Sequence, residues 1–287
     1  MPNMKRIAWV LSILSLSLAL RSQLKAELKI DHVTIAGPKL APMQAGLEKL
    51  GIHCEYGGPH ANRATEMAIA SFPDGSYLEL IAFQPKADPE SAARHTWTKY
   101  MRDAAGPCAW AVRSTDATAE ATRLRGAGVQ VSSINKSGRV RPDGFRLDWE
   151  TLQVGTEGNG VFFPFLIHDF TPREKRAFPS GKAGNPDYSG VSKIIIAVSD
   201  LTGGIARYRK AYSLPEPRTE QNRAWFAGTP VVLEAQPQRV REFGEGVSGF
   251  VLKSNKSGAS QSLWFGKKIV WLNPEAIGPN RLAIELK

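Results

Sequence analysis

Apolar and polar residues alternate in blocks that repeat along the chain. Each block begins with an apolar run that favours a strand, at residues 29–35, 108–112 and 191–198. A polar turn follows each run, and apolar residues at helical spacing come next, so each block predicts a strand and then a helix. Further strand-like runs follow each helix, separated by turns that contain Gly or Pro. The pattern therefore predicts a βαβββ module that occurs at least three times.

A fourth, eroded copy of the module is predicted at the end of the chain. Residues 249–253, 268–272 and 282–286 have the composition of strands. The stretch 254–262 is polar and contains Gly and Ser, so it does not predict a helix. The fourth module is therefore expected to lack its helix.

The division of the chain follows from the modules. Residues 171–188 are rich in Pro, Gly, Lys and Arg and are expected to separate two halves. The first half, residues 27–170, contains modules one and two. The second half, residues 188–287, contains a degenerate pair of modules.

The first 26 residues have the features of an export signal. Lys5 and Arg6 precede an uncharged run over residues 7–20, and the segment contains no acidic residue. A helix over this run would rise about 21 Å, less than the roughly 30 Å of a bilayer core. Ser17-Leu18-Ala19 fits the small-x-small rule for cleavage. We therefore expect an exported protein, periplasmic or extracellular, with no membrane span after cleavage; an uncleaved anchor is the alternative.

The charge balance argues against a nucleic-acid partner. The formal net charge of +10 falls to about +6 without the four basic residues of the leader. A nucleic-acid-binding protein usually has a dense basic stripe interleaved with aromatic residues. The densest basic cluster here is Lys136, Arg139, Arg141 and Arg146, and Asp143 interrupts it. A solvated hairpin and a pocket for a small anion both explain this cluster.

The two cysteines restrict the chemistry further. They are too few for a disulfide framework or a cysteine-based zinc site. In an exported protein Cys54 and Cys108 could pair, and two buried thiols would suit the sequence equally well.

Several phrases in these modules resemble the vicinal oxygen chelate superfamily, the fold of glyoxalase I and extradiol dioxygenases, and within it the glyoxalase-like subgroup. They are Ile30-Asp31-His32-Val33, Gly57-Gly58-Pro59-His60, Asp74-Gly75-Ser76-Tyr77-Leu78-Glu79-Leu80, Arg141-Pro142-Asp143-Gly144 and Phe163-Pro164-Phe165. The resemblance extends over residues 29–170 and is weaker over 188–287. It implies an α+β fold in which paired modules curl into half-barrel sheets.

The resemblance also implies a metal site. In that superfamily a His from a first strand and a Glu from a last strand of each module hold a metal ion, which chelates two adjacent substrate oxygens. His32 and Glu79 match these ligands in module one. Module two offers Ala109 or Trp110 opposite His32, and module three offers Lys193. The usual set of ligands is therefore incomplete, and both a divalent ion held in another way and the loss of the metal remain open.

The position of Glu79 in its strand points to a polar site even without the resemblance to a family. Alternation along its strand places it on one face with Tyr77 and Ile81. A carboxylate on such a face is costly unless it is paired, hydrogen-bonded or metal-bound. A metal ligand and a glutamate hydrogen-bonded in a polar cavity are both consistent with this position, which Glu285 repeats in the fourth module.

The histidines divide into one functional candidate and two structural ones. His60 follows the flexible Gly57-Gly58-Pro59 loop, where its imidazole could act with Glu79 as a catalytic acid or base, or as a third metal ligand. An exposed loop histidine is the alternative. His53 and His95 are predicted to be structural.

The remaining candidates are binding residues. Arg139 and Arg141 could bind a substrate carboxylate or phosphate, and Trp110 and Phe165 are candidates for the pocket wall. Together these residues favour an exported glyoxalase-like protein that acts on a small oxygen-rich molecule in a concave pocket, as a lyase, isomerase or hydrolase. The alternative is a small-molecule binding or sequestering protein with the same pocket and no turnover. The sequence predicts neither the substrate nor the oligomeric state.

Overall fold

The computed structural model describes residues 28–102 and 105–287, so the predicted export signal lies outside the described residues. The described chain forms two eight-stranded sheets. Both sheets are curled, and helices cover one face of each.

The first sheet contains modules one and two. Its strands are β1 (Ile30–Ala36), β2 (Glu55–Pro59), β3 (Thr65–Ser71), β4 (Tyr77–Phe83), β5 (Gly106–Arg113), β6 (Asn135–Val140), β7 (Arg146–Leu152) and β8 (Phe165–Asp169). They lie in the order β2-β3-β4-β1-β5-β8-β7-β6. Strand β1 pairs in parallel with β4 and antiparallel with β5, so the two modules join through their first strands.

The second sheet repeats this topology with modules three and four. Its strands are β9 (Tyr188–Val198), β10 (Arg218–Glu220), β11 (Arg223–Trp225), β12 (Val231–Ala235), β13 (Gly246–Ser254), β14 (Ser262–Trp264), β15 (Lys267–Leu272) and β16 (Leu282–Glu285). They lie in the order β10-β11-β12-β9-β13-β16-β15-β14. The α+β fold of repeated βαβββ modules and half-barrel sheets is thereby confirmed.

The helices are short. They are α1 (Leu40–Glu48), α2 (Pro89–Arg94), α3 (Thr98–Arg102), α4 (Ala117–Gly126), α5 (Glu174–Ala177), α6 (Leu201–Tyr212) and α7 (Pro237–Phe243). Helices α1, α4 and α6 belong to modules one to three, and Asp116 and Asp200 cap α4 and α6 as their sequence predicts. The described part of module four has no helix between β13 and β14, because residues 255–261 are polar. Of the helices in the described ranges, none has the length and apolarity to cross a bilayer.

One hydrophobic core joins the two halves. Val33 and Trp110 of the first sheet belong to the same buried cluster as Ile194 and Phe250 of the second. Tyr208 of α6 reaches across and donates a hydrogen bond to the carbonyl of Phe162 at 2.6 Å. The opposite, concave face of the first sheet is therefore left to form a cavity.

The two cysteines are free and buried. The Cys108 thiol donates to the carbonyl of Thr34 at 3.6 Å. Burial raises the pKa of Cys54 to about 12, so this thiol stays protonated at neutral pH. The structure therefore contains two buried free thiols and not a Cys54–Cys108 disulfide.

Candidate functional site

The concave face of the first sheet encloses a cavity of about 460 Å³. This volume lies within the range of pockets that bind small molecules. Strands of both modules line it, and the last residue of α2 and the segment that joins α2 to α3 contribute residues 94–97 to its wall.

Glu79 lies in the wall of the cavity between two histidines. Its Oε2 is 3.7 Å from Nε2 of His32, and its Oε1 is 3.5 Å from Nε2 of His60. Thr34 donates to Oε2 at 3.2 Å. Strand geometry explains the grouping, because His32 and Thr34 alternate on β1 opposite Tyr77 and Glu79 of the parallel strand β4.

His60 reaches this place from the loop that follows β2. Its backbone N–H donates to the carbonyl of Thr65 at 2.8 Å, and its Nδ1 lies 2.8 Å from Oγ1 of the same threonine. The hydrogen bonds of the loop thereby turn Nε2 towards Glu79. The sequence-predicted pair His60 and Glu79 is brought together in the cavity.

The two imidazoles determine the charge of Glu79. Burial by itself would raise the pKa of this carboxyl. The contact with His60 and the charges of His32 and His60 outweigh burial and hold the pKa at about 2. Glu79 is therefore a carboxylate at neutral pH.

A buried ionic network orients His32 from behind. Its Nδ1 lies 2.7 Å from Oδ1 of Asp31, and its ring stacks on Tyr77 with centroids 4.8 Å apart. Asp31 also accepts hydrogen bonds from Arg173 and Arg176, at 2.9 Å each. Because Nδ1 is engaged in this way, Nε2 of His32 is left facing Glu79.

The sequence gives little signal for these supporting residues. Arg173 and Arg176 lie in and beside α5, in the connection between the halves, more than 140 positions from Asp31. The one local clue is Asp31 itself, an acidic residue inside an otherwise apolar strand. Its partners are determined by the tertiary fold.

A polar wall closes one side of the cavity. Asn135, Ser137 and Arg139 alternate along β6, and all three line the cavity. Arg139 is 6% exposed and donates to the carbonyl of Gly57 on β2 at 2.8 Å. This bond links the two edge strands of the sheet. Arg139, which the sequence predicts as a binding residue, is therefore in the site.

The segment between α2 and α3 contributes residues that sequence reasoning missed. His95, predicted to be structural, lines the cavity and lies against Trp97 with centroids 5.3 Å apart. Burial lowers the pKa of His95, and the charge of His60 lowers it further, while Glu79 acts in the opposite sense. No strand or helix periodicity marks this segment as part of a pocket, so the sequence offered no signal for it.

Two predicted binding residues lie elsewhere. Trp110 does not line the cavity, because it pairs with Val33 on the core face of the sheet, whereas Ala111 stands opposite His32. Arg141 faces a neighbouring recess, where it donates to the carbonyls of Lys175 and Pro179. One residue of register separates the two faces of a strand, and composition does not reveal it.

The other predicted residues are placed as follows. Phe165 of β8 lines the cavity and meets the ring of His32 edge to face at 5.3 Å. His53 is exposed, with its Nδ1 2.7 Å from a carboxylate oxygen of Glu48. Phe165 therefore joins the site, and His53 stays outside it.

The second sheet has no matching site. At the position of His32 it carries Lys193, whose ammonium pairs with the buried carboxylate of Glu285. Ile195 and the aromatic rings of Trp264 and Phe265 form a small core on that face. An internal ion pair and aromatic packing replace the cavity, so the candidate site belongs to the first half.

A family model described as a glyoxalase-like domain matches residues 30–213 of the chain. The chain belongs to the glyoxalase-like domain family. The resemblance to the vicinal oxygen chelate superfamily is thereby confirmed. The glyoxalase-like match includes both modules of the first sheet and the start of module three.

Solved structures agree on the fold of this glyoxalase-like chain. A hypothetical protein from Staphylococcus aureus is similar over 90% of this chain and 98% of its own, with 11% identity and a TM-score of 0.67. The Mn(II)-bound glyoxalase from Novosphingobium aromaticivorans matches over 92% and 84%, with 8% identity and a TM-score of 0.55. A mutant of 4-hydroxymandelate synthase from Streptomyces coelicolor matches over 80% and 72%, with 12% identity and a TM-score of 0.54. No curated protein sequence matches the chain.

The donors around Glu79 meet only part of what a metal ion needs. Two imidazoles and a carboxylate are donor types that divalent metals accept. However, in residues 28–102 and 105–287 no group of three or more His, Cys, Asp or Glu side chains is gathered as an ion would require. His32 and His60 instead contact different oxygens of Glu79. The trio as it stands is an acid–base cluster in which each imidazole lies within ion-pair distance of the carboxylate.

Proposed function

We propose that this glyoxalase-like chain is an enzyme that moves a proton on a small oxygen-rich molecule held in the first-sheet cavity. The observation that carries the proposal is the position of Glu79, a carboxylate in the cavity wall with an imidazole Nε2 near each oxygen. His60 transfers the proton, and Glu79 is its charged partner. The reaction class is an isomerase or lyase reaction, or a hydrolysis.

The electrostatics support this division of roles. A carboxyl with a pKa of about 2 is a weak base, so Glu79 itself is poorly matched to proton abstraction near pH 7. Its negative charge stabilises the positive charge that an imidazole gains when it takes up a proton. The side chain of His60 is 20% exposed, whereas that of His32 is 5% exposed and is held by Asp31. His60 is therefore the proton carrier, and His32 positions Glu79.

A divalent metal ion held by His32 and Glu79 is the second candidate. The fold neighbour from Novosphingobium aromaticivorans is Mn(II)-bound. In this chain Asp31 engages the far nitrogen of His32, as carboxylates do behind metal-bound histidines. An ion there would polarise a substrate oxygen as a Lewis acid.

Hydrogen exchange into substrate candidates tests the proposal. We expect wild-type protein to catalyse solvent deuterium uptake, read by NMR, in one or more of a panel of 2-oxoaldehydes, hydroxyketones and hydroxy acids. His60→Asn and Glu79→Gln are expected to reduce the rate by about 100-fold, the usual contribution of general acid–base catalysis. His53→Asn, at an exposed histidine, is the matched control and should leave the rate unchanged. Ligand binding without exchange or turnover would favour the sequestering alternative.

Metal content separates the two candidates. Protein purified without a His tag is analysed by mass spectrometry as wild type and as Glu79→Ala. Metal near one ion per chain, lost in the variant, supports the metal candidate. Exchange activity that persists after chelation, with no metal bound after reconstitution, supports the acid–base cluster alone.

We also propose that the chain acts outside the cytoplasm. The support is the leader sequence, with Lys5 and Arg6 before an uncharged run. Fractionation of cells that express the full chain should place a shortened protein in the periplasm or medium. A full-length protein in the membrane fraction would indicate the uncleaved anchor.

A further inference from the structure

Arg139 has no acidic partner. Its guanidinium is nine-tenths buried in the cavity wall, and within residues 28–102 and 105–287 no carboxylate lies within salt-bridge distance of it. One amino group donates to the Gly57 carbonyl, and that is the one hydrogen bond its side chain makes there. Guanidinium carries five donors and stays protonated in proteins. A buried cation with spare donors facing a cavity is a binding site for an anion.

The other cationic groups nearby are already neutralised. Arg176 lines the same cavity but pairs with Asp31 and Asp169. Arg141, in the neighbouring recess, pairs with Asp143 at 2.9 Å. Burial lowers the pKa of Arg139, and the charges of Tyr77 and Glu79 act in the opposite sense. Of these three arginines, Arg139 is thus the one whose charge a bound anion would balance.

The neighbours of Arg139 suit a ligand that carries hydroxyl groups. Asn135 and Ser137 share its face of β6, and Thr151 and Gln153 line the cavity from β7 and the residue after it. Within the described ranges, the side chains of these four residues have no hydrogen-bond partner. Neutral donors and acceptors of this kind bind hydroxyl groups without demanding a second charge.

Two unpaired polar atoms lie in another part of the wall. Nε1 of Trp97 and Oδ1 of Asn159 are buried, and neither has a hydrogen-bond partner among the described residues. Trp97 is 7% exposed, and both residues line the cavity. Their loops meet where Gly158 approaches the side chain of Thr96. Each atom left unpaired costs about 1–3 kcal/mol, and neither is accessible to a ligand in this structure, so both belong to the cavity wall and not to the ligand contacts.

We propose that the ligand of this cavity is a small hydroxylated organic anion, with its carboxylate or phosphate on Arg139 and its hydroxyl groups on the neighbouring side chains of Asn135, Ser137 and Thr151. The assumption that this ligand is the substrate rests on the proposed function. The inference adds the chemical class of that substrate. A cavity of about 460 Å³ accommodates a molecule of this kind. The trio around Glu79 lines the same cavity.

Matched charged and neutral ligands test the inference by calorimetry on the mature chain. Gluconate is compared with glucitol, and glycerol phosphate with glycerol. We expect the charged member of one pair to bind about 10- to 100-fold more tightly than its neutral partner, the value of charge-assisted hydrogen bonds. Whichever pair shows the preference identifies the anionic group. Equal binding within both pairs, or no binding by either charged ligand at millimolar concentration, would overturn the inference.

Variants assign the preference to residues. Arg139→Gln should abolish the preference for charge, whereas Arg146→Gln, at an exposed arginine paired with Asp148, should leave it intact. Arg139→Lys keeps the positive charge and should show a weaker preference for the charged ligand. This variant replaces Arg139→Gln in the test if the glutamine variant does not fold. Ser137→Ala should weaken the binding of both members of the pair by about 2- to 10-fold, because it removes a contact to a hydroxyl group. Unchanged charge preference in Arg139→Gln would contradict the assignment.

Two further measurements complete the test. The first separates an organic ligand from a simple ion, and the second separates this inference from the proposed function. Inorganic phosphate should bind at least about tenfold more weakly than the preferred ligand, because it lacks hydroxyl contacts; equal affinity would mean that the site takes an ion only. Glu79→Gln should bind the anion as tightly as wild type or more tightly, because it removes a negative charge. If exchange activity fails but this binding pattern holds, the proposed chemistry is wrong and the ligand class stands.

Discussion

Asp31 holds a negative charge in a place without solvent contact, directly behind the candidate site. Its carboxylate is fully buried, lies 2.7 Å from His32 and pairs with two arginines. Burial would raise the pKa of Asp31, but the charges of Arg176 and Arg173 and the bond to His32 lower it well below 3.8. The network thus fixes His32 and joins β1 to the connection between the halves.

Replacing Asp31 tests the network. Asp31→Asn leaves the buried Arg176 with Asp169 alone, and removing one partner of a buried ion pair costs about 3–5 kcal/mol. We expect urea denaturation near pH 7 to show a loss of this size. Asp187→Asn, which affects an exposed pair with Lys256, should leave the midpoint almost unchanged. A loss in Asp31→Asn no larger than in that control would show that the network is not stabilising.

The same carboxyl predicts a pH dependence. The folded-state pKa of Asp31 is below its unfolded value, so its contribution is complete above about pH 4 and is lost as the pH falls towards the folded value. Wild-type stability should therefore decrease steeply below pH 4. Asp31→Asn should show a shallower decrease over the same range, measured as the free energy of unfolding in urea from pH 2 to 6. Parallel slopes for the two proteins would contradict this origin.

At the scale of elements, a tight loop positions one wall of the site. Gly160 precedes β8 with φ of 71°, and a Cβ there would lie 2.6 Å from the carbonyl oxygen of Trp110. Its own carbonyl accepts from the Trp110 N–H at 3.0 Å. The same loop carries Asn159, and Phe165 follows it. A side chain at position 160 would therefore displace the cavity wall.

Two glycine substitutions separate backbone strain from close approach. Gly144 also has positive φ, 84°, but a Cβ there would meet no atom within 4 Å. Gly144→Ala should cost about 1–2 kcal/mol from φ alone. Gly160→Ala should cost about 1–3 kcal/mol more than Gly144→Ala, because its Cβ also overpacks the wall, and it should weaken ligand binding. Thermal unfolding of both variants checks the difference, and equal losses would show that the contact with Trp110 yields at no cost.

Periodicity along the chain predicted the elements well. Apolar runs and polar caps located the module strands and helices, and the polar stretch after β13 correctly predicted a module without its helix. Periodicity did not show that the segment between α2 and α3, which carries His95 and Trp97, would line the cavity. It also could not decide the face of Trp110, because a shift of one residue between β1 and β5 exchanges the core for the cavity. Register and long-range ion pairs depend on tertiary contacts that no local pattern contains.

At the scale of the whole molecule, the second half supports the loops of the site. Arg239 on α7 donates to the hydroxyl of Tyr100 at 3.0 Å, and Phe243 lies against the ring of Tyr100. This contact braces α3, which follows His95 and Trp97. Val247 of β13 donates to the carbonyl of Val161 at 2.8 Å, which braces the loop with Asn159. In the second half the Lys193–Glu285 pair and aromatic rings fill the corresponding face of the sheet, and this half serves as a scaffold for the first.

Arg207 offers the sharpest test of this support. It pairs with Glu157 of the site loop and with Glu245 of its own half, and its guanidinium lies 3.6 Å from the ring centre of Phe162. Arg207→Ala should cost about 1 kcal/mol, since the group is partly exposed. Hydrogen–deuterium exchange over residues 155–163 should rise, and the affinity for the anionic ligand should fall about 2- to 10-fold as the cavity wall around Asn159 loses its fixed position. Arg209→Ala, two residues along the same helix and paired with Glu216 within the second half, should change neither. Equal exchange over residues 155–163 in both variants would show that the second half does not support the site through Arg207. The contacts of α6 with Phe162 and Phe163 would then be sufficient to hold this loop.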